Sequence, residues 1–560
     1  MFFAVFDLLF KIVFLLIFLI IESCVCIELF YVLQSNSYDC KSLYKRLFDV
    51  SSIDIINLFL YIIIVVFFVI TQIDNIYILI ASLIVSSVLT YILNDQFKSL
   101  KKIKYTKRML RLIFVLLILM ILESVILLDL CELNFAVIFV PLFVIVGYFN
   151  VLIVYLILVP VEALIGSFYL KKSKKKLQIH KKLIKIGITG SFGKTSTKEI
   201  LTTLLNQEFN VLSTPKSYNT PFGISKTIND KLNNSHEVFV CEMGAKKRGE
   251  IKYLSELINV DWGIVTSVGR QHTSTFGSLE NIYKTKKELP DALYKKLCVF
   301  NLMNKYTVQM YKEFVGEKIG VFLCKKHNIV INSTNIKKSY KNIKAKMHNN
   351  SFRLYEFSRK NNYYAKSINI NENGCVFDVY YDNSFLLNAK VILLGYHNII
   401  NVLLAVAVAH RFGVKLANIK TGILKLKQIQ ARLEKYSLSN GAVVINNGYN
   451  SNIDSVKHTL ETLSLFKRKY KVVITPGVVE TNDDNYYNET LGELCAKYCT
   501  DVVVVKKKNR DAITRGLAKA QFDMCRVYKV DSFNDAKKII NNSNDEYVFL
   551  IENDLPDIYK

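Results

Sequence analysis

No two cysteines in this 560-residue chain stand in a Cys-x-x-Cys spacing, although there are 11 of them, and that argues against a zinc ribbon. The nearest pair, Cys24 and Cys26, lies in a hydrophobic run, so reduced thiols in a cytosolic catalytic part are expected. There is no internal repeat and no long low-complexity linker. Acidic residues are scarce: 47 Asp and Glu against 73 Lys and Arg, a net charge of +26. Such a surplus suits a nucleic acid, but no basic–aromatic recognition module accompanies it. It is concentrated instead in two acid-free runs, seven basic residues from Lys98 to Arg111 and eight lysines from Lys171 to Lys185. Both abut hydrophobic spans, the pattern of cytoplasmic loops, and both favour anionic membrane lipid as a partner over nucleic acid.

What is abundant is apolar. Leu, Ile, Val and Phe runs dominate residues 1–170, with candidate spans near 8–33, 55–72, 76–93, 112–130 and 134–159, about five in all. The first lacks the flanks of a cleavable signal peptide. Placing both basic runs inside makes the last two spans a hairpin. Residues 160–170, with Pro160 and Glu162, read as a separate interfacial helix. Few ionisable residues interrupt the spans (Glu123 and Asp129 are the exceptions), which favours a plain multi-span anchor over a conducting path.

After Lys182 strand-like runs alternate with helical stretches: Leu183–Thr189, Val238–Glu242, Trp262–Ser267 and Leu297–Asn301, with a helix at Asn398–Phe412. That alternation implies a mostly parallel sheet. Residues 305–390, rich in Tyr and Asn, read as an antiparallel β insertion. A second strand–helix series starts near Val443. The fold class is an α-helical transmembrane region followed by α/β, divided as 1–170, 171–412 and 413–560, the last part Rossmann-like.

The sharpest local signal is Gly187-Ile-Thr-Gly-Ser-Phe-Gly-Lys-Thr-Ser-Thr197, between a strand and a helix. Glycines there let backbone N–H groups wrap an anion, and the helix N-terminus adds a favourable dipole. Gly190, Ser191, Gly193, Lys194, Thr195 and Ser196 form the phosphate loop, with Lys194 reaching the terminal phosphates of ATP and Thr195 placing a hydroxyl on Mg2+. Ile188 stands where the common form of this loop has its first glycine.

The shortened Thr-Gly-Ser-x-Gly-Lys-Thr form resembles the Mur ligase family. Further blocks follow in that family's order: Ser217-Tyr-Asn-Thr-Pro-Phe-Gly223, Cys241-Glu-Met-Gly-Ala245, His272 with Phe276-Gly-Ser-Leu-Glu280, Tyr283-Lys-Thr-Lys-Lys-Glu288, Asn301, Gly395-Tyr-His-Asn398 with Asn401, Ala431-Arg-Leu-Glu434 and Asn447-Gly-Tyr-Asn-Ser-Asn452. The chain looks most like the branch that adds D-alanyl-D-alanine to a UDP-N-acetylmuramoyl-tripeptide in peptidoglycan synthesis. The resemblance covers residues 183–560 and implies a central ATPase domain and a Rossmann-like C-terminal domain.

The resemblance also implies ATP-dependent amide bond formation through an acyl phosphate. In that scheme Thr195, Glu242, His272 and a carbamylated Lys286 hold two Mg2+ sites, and Lys194, His272, Lys286 and Arg432 are catalytic. Asn301, Asn398, Arg432 and Asn447 join the loop in binding the nucleotide, while Asn219, Tyr449, Asn450 and Asn452 meet the substrate. Ordinary alternatives stand beside these roles: a helix cap for Glu242, a core position for His272, a solvated lysine face for Lys286, and helix capping for Asn398 and Asn401. Two departures stand out. Asn446 and Asn447 occupy positions where the family commonly has acid, and membrane spans replace its N-terminal sugar-nucleotide domain. The acceptor is therefore either the soluble UDP-linked peptide, taking D-alanyl-D-alanine or another amine, or a lipid-linked precursor. A non-catalytic nucleotide-binding scaffold is the competing class. The expected location is a bacterial cytoplasmic membrane with the catalytic part in the cytoplasm, where cell-wall enzymes are candidate partners.

Overall fold

The computed structural model describes residues 26, 29–31, 33–34, 38, 104–130, 140–215, 218–271, 273–324, 359–448, 453–479 and 483–553. The expected spans at 55–72 and 76–93, and nearly all of the one at 8–33, lie outside the described residues. Two compact units divide the chain, Met1–Ser167 and Phe168–Lys560.

In the first unit α1 (Lys107–Leu130) and α2 (from Val140) run antiparallel. Arg111 Nε donates to Glu162 Oε1 at 2.7 Å near one end, and Asn150 Nδ2 donates to Glu123 Oε2 at 2.7 Å further along. Between these polar ties Met109, Leu112, Leu116 and Met120 pack against Val151, Val154 and Leu158. The opposite faces are apolar as well: Phe114, Leu122 and Val125 on α1, and Leu156, Ile157 and Leu164 on α2, are exposed. One correction follows. No separate interfacial helix begins at Pro160, because α2 continues through it to Ile179. Proline removes one helix hydrogen bond, which the 40-residue helix tolerates. Among the described residues, one helical stretch is long and apolar enough to cross a membrane by length and composition, Phe149–Ile179.

The second unit opens with the end of α2. It continues through β1 (Ile184–Thr189), α3 (Lys194–Leu205), β2 (Val211–Ser213), α4 (Pro221–Lys231), β3 (Val238–Glu242), α5 (Glu250–Ile258), β4 (Trp262–Val265), α6 (Thr273–Phe276) and α7 (Leu279–Ala292). Then come β5 (Leu297–Asn301), α8 (Lys305–Glu313), β6 (Glu317–Leu323), β7 (Tyr363–Asn371), β8 (Gly374–Tyr381), β9 (Ser384–Val391), α9 (Tyr396–Arg411) and α10 (Leu416–Leu424). These strands form one sheet in the order β2-β3-β1-β4-β5-β6-β7-β8-β9. It is parallel as far as β7, and antiparallel across β7, β8 and β9.

Side chains alternate across this sheet as the strand period of two requires. Val238 and Val240 face the core under α3 and α9, while Phe239 and Cys241 face the core under α4, α5 and α7. The chain leaves β1 towards β2 and β3 on one side, then returns to β4 on the other. The C-terminal end of β1 is therefore a topological switch point, where open α/β sheets bind ligands.

Of the expected antiparallel insertion near 305–390, residues 325–358 lie outside the described residues, and the described part is only partly antiparallel. Residues 305–313 are helix, and β6 is a parallel strand of the main sheet. The antiparallel strands are β7–β9, and they extend that sheet. A second correction concerns the boundary at 412. Ile419 and Ile423 of α10, and Leu426 after it, are buried in the core of the first sheet, so the central domain runs past 412.

The last domain holds β10 (Glu434–Ser437), β11 (Val443–Asn447), α11 (Ile453–Ser464), β12 (Tyr470–Thr475), α12 (Asp484–Tyr498), β13 (Asp501–Val505), α13 (Arg510–Lys519), β14 (Val527–Val530), α14 (Phe533–Asn541) and β15 (Tyr547–Glu552). Its sheet order is β10-β11-β15-β12-β13-β14, parallel except for the edge strand β10.

Candidate active site

The site grows from the end of β1. The chain turns through Gly190–Gly193 and enters α3 at Lys194. Gly190 has φ +147°, and a Cβ there would fall 2.0 Å from Thr266 Oγ1, so only glycine lets the loop lie against β4. The loop is braced from that side. Ser191 N donates to Ser267 O at 2.7 Å and Phe192 N to Ser267 Oγ at 3.2 Å. Ser191 Oγ donates to Gly269 O at 3.1 Å and accepts from Gly269 N at 3.0 Å. With those amides engaged, the first turn of α3, including Thr195 and the buried Ser196, is the part of the motif that faces an anion with its helix N-terminus.

Lys194 lies back over the loop, its Nζ donating to Gly190 O at 2.7 Å and Ser191 O at 3.0 Å. Thr195 Oγ1 donates to Glu242 Oε2 at 2.9 Å, and Asn219 Nδ2 donates to Glu242 Oε1 at 3.1 Å. Glu242 ends β3 and is 1% exposed. A hydroxyl from the first turn of α3 and a carboxylate from the end of β3 thus converge as hard oxygen donors, the ligand chemistry Mg2+ takes. Among the described residues no group of three His, Cys, Asp or Glu gathers as a metal cluster. Glu242 is held by side chains, not used as a helix cap.

Burial pulls the Lys194 ammonium down to about 8, Glu242 pulls the other way, and Arg432 adds to the fall. Lys286, on α7 and 4% exposed, is pulled down to about 7, first by burial and then by Lys194. It is a buried lysine and not part of a solvated face. The neighbouring Glu288 carboxylate caps α5, accepting from Gly249 N at 2.7 Å and Lys252 N at 3.0 Å. Arg432 arrives from the segment after α10. Its neighbours Ala431 and Leu433 have φ of +54° and +51°, a conformation L-residues avoid and one that marks functional turns. Lys194 therefore lies within electrostatic reach of Glu242, Arg432 and Lys286.

Other expected residues take protein partners. Asn301 Nδ2 donates to Thr266 O at 2.7 Å, and its Oδ1 accepts from Met303 N at 2.9 Å. Asn398 Nδ2 donates to Leu394 O at 2.9 Å, Asn401 Nδ2 to Asn398 Oδ1 at 3.0 Å, and Thr197 Oγ1 to Asn401 Oδ1 at 3.3 Å. This ladder ties α9 to the phosphate-loop helix. Asn447 Nδ2 donates to both carboxylate oxygens of Glu552, at 3.2 and 3.1 Å, so β15 supplies acid beside the position where β11 lacks it. His272, Tyr449, Asn450 and Asn452 lie outside the described residues.

Sequence reasoning missed Lys198, Asp454, Glu552 and the His397–His458 pair. Lys198 had a signal, since it lies four residues after Lys194 on the same helix face. Glu552 had none, being 105 residues from its partner. His397 is pushed down to about 3 by burial, with His458 and Arg432 adding to the shift.

Residues 188–339 and 318–409 match the family model of the Mur ligase middle domain. The chain is 27% identical over 330 residues to the UDP-N-acetylmuramoyl-tripeptide–D-alanyl-D-alanine ligase of Buchnera aphidicola subsp. Acyrthosiphon pisum, covering 59% of this chain and 63% of that one. It is 26% identical over 327 residues to the protein of the same name from Bacillus subtilis, covering 58% and 61%. The chain thus spans about three fifths of the length of these curated relatives. The MurF ligase of Thermotoga maritima, solved in complex with ADP, has the same fold: TM-score 0.55 at 20% identity, covering 69% of this chain and 80% of that one.

Proposed function

We propose that the chain, whose central part matches the Mur ligase middle domain, is a Mur ligase: an ATP-dependent ligase that joins D-alanyl-D-alanine to a UDP-N-acetylmuramoyl-tripeptide through an acyl phosphate. The observation that carries the reading is a glycine loop, covered by Lys194, that opens a helix beside the Thr195–Glu242 oxygen pair, with Lys286 and Arg432 within electrostatic reach of Lys194.

The first turn of α3 and Lys194 bind the β- and γ-phosphates. The substrate carboxylate attacks the γ-phosphorus, the bond to the ADP oxygen breaks, and Lys194 and Arg432 stabilise the charge on the transferring group. The amine then attacks the acyl carbon, the C–O bond to phosphate breaks, and inorganic phosphate leaves. Thr195 and Glu242 fit one magnesium ion, which when bound neutralises phosphoryl charge. Lys286 suits a second site as a carbamate: burial leaves a share of its amine neutral near pH 7, and a neutral amine adds CO2 and releases a proton to become an anionic oxygen ligand. Arg432, on the segment that leads into the last domain, meets the phosphates when that domain closes.

The apolar outer faces of α1 and α2 support a membrane location with the catalytic unit in the cytoplasm. They also favour a second reading of the acceptor, a lipid-linked precursor. The test is phosphate release by the full chain in detergent or bilayer with ATP and Mg2+, offering D-alanyl-D-alanine with UDP-N-acetylmuramoyl-tripeptide or with the lipid-linked precursor, and Lys194→Ala as control. Release and product with the soluble pair supports the first reading. Release with the lipid-linked acceptor alone supports the second, and no release with either favours a nucleotide-binding scaffold.

A further inference from the structure

Lys198 is fully buried, at 0% exposure, on the inner face of α3 one turn after Lys194. A buried ammonium persists only where hydrogen bonds and countercharge repay its lost hydration. Lys198 Nζ donates to Thr214 O at 2.6 Å, and it stands 3.2 Å from Glu199 Oε1 and 3.7 Å from Glu242 Oε2. Thr214 is itself tied to the same carboxylate residue, since its Oγ1 accepts from Glu242 N at 3.1 Å. Thr214 follows β2, on the segment that leads towards Asn219, and Asn219 holds the other oxygen of Glu242. Glu242 is therefore held from three elements: Thr195 and Lys198 of the phosphate-loop helix and Asn219 of the loop before α4 at its carboxylate, and Thr214 after β2 at its backbone N–H. Neither Thr195 nor Asn219 brings charge. Lys198 does, and it does so from the buried side, leaving the Thr195 side as the direction from which a cation arrives.

We propose that Lys198 is a positioning residue for magnesium–nucleotide binding: it fixes the Glu242 carboxylate beside Thr195 and couples the phosphate-loop helix to the Asn219 segment. The inference rests on the reading of Glu242 and Thr195 as magnesium ligands. Lys198 touches no reacting atom. Partners of this kind, one step behind a ligand, change metal affinity by roughly ten- to a hundredfold when removed.

The test is calorimetric binding of ADP to the full chain with and without Mg2+, supported by Mn2+ titration followed by electron paramagnetic resonance. In Lys198→Met, which keeps the volume of the side chain, ADP affinity without metal stays within about twofold of wild type, because the phosphate cradle is intact. The gain in ADP affinity on adding Mg2+ shrinks by about tenfold or more, and Mn2+ binding weakens in parallel. Glu199→Gln, which alters the partly exposed neighbour of Lys198 and not Glu242, leaves the gain unchanged. Should Lys198→Met not fold, Lys198→Gln keeps an amide donor for Thr214 and removes only the charge, with the same expected loss. A folded variant with the wild-type Mg2+ gain overturns the proposal, as does an equal fall in ADP affinity with and without metal. Wild-type protein that binds no ADP, or gains nothing from Mg2+, fails the underlying functional reading instead.

Discussion

At the scale of single residues, the site is decided by which charges are buried together. Lys286 is held near 7 because burial and Lys194 act in the same direction. Carbamate formation needs the neutral amine, so the proposed Lys286 carbamate should diminish as pH drops below about 7 and recover with added bicarbonate. Carbon-13 NMR with labelled bicarbonate reads this directly. A carbamate signal is expected in wild type and absent in Lys286→Ala, and an identical spectrum in the two would sink the assignment. His397 gives a stability prediction of definite sign. Its folded value is about 3 against 6.5 unfolded, so between those limits the unfolded chain holds the extra proton. Stability is then full above about 6.5 and is lost as pH falls, by at most about 1.4 kcal/mol per pH unit. His397→Gln should flatten the fall in unfolding temperature between pH 7 and 5. Of these residues Lys194, Glu242 and Lys286 were legible in the sequence, because each sits in a local motif. The His397–His458–Arg432 neighbourhood was not, since it forms only when distant segments fold together.

At the scale of elements, strands buried on both faces were read most sharply. Val238–Glu242 and Leu297–Asn301 have the bounds their apolar runs suggested, because every residue in them is buried and no polar position blurs the edge. The allegiance of α10 was not legible. An apolar stripe says that a helix packs, not which sheet it packs on, and Ile419 and Ile423 went to the first. The Pro160 signal misled because the one hydrogen bond that proline removes is a small part of a 40-residue helix. The helix that follows the Asn219 segment offers an element-level prediction. Thr220 caps α4, accepting from Gly223 N at 3.3 Å, with Pro221 in the first turn. The end of α2 docks on the same helix: Ser173 Oγ donates to Ser225 Oγ at 2.9 Å and Lys176 Nζ to Asn229 O at 2.9 Å. Thr220→Ala should cost about 1 kcal/mol, the usual worth of such a cap. It should lower the thermal midpoint of the catalytic unit while ADP affinity holds. An unchanged midpoint would mean that the docked end of α2, rather than the cap, sets the start of α4.

At the scale of the whole catalytic unit, the proposed ligation needs the last domain to meet the phosphate loop, and one contact between them runs through backbone. Asp454, at the start of α11, accepts from Arg270 N at 2.9 Å across 184 residues. Gly269 precedes that amide, and a Cβ on it would fall 2.7 Å from the Phe192 ring and 3.1 Å from Asp454 Oδ2. A side chain there would press on the Phe192 ring and the Asp454 carboxylate, where the phosphate loop, the segment after β4 and the last domain stack. Ser191 grips Gly269 by both its N–H and its carbonyl, so a short hydrogen-bonded path runs from the phosphate loop through Gly269 and Arg270 to Asp454. Arg432, which depresses Lys194, shares this arrangement of the domains. The phosphate loop and Lys194 belong to the central domain, and the Asp454–Arg270 contact lies beside them. Asp454→Ala should therefore lower kcat by roughly ten- to a hundredfold, the cost of slightly misplaced catalytic groups, and leave the KM for ATP nearly unchanged. Asp454→Asn keeps an oxygen acceptor for the Arg270 amide and should recover most of the rate. Steady-state kinetics on the two variants separates closure from binding: a rise in KM for ATP with kcat intact would place Asp454 in nucleotide affinity, while wild-type kinetics in Asp454→Ala would make the contact incidental to closure.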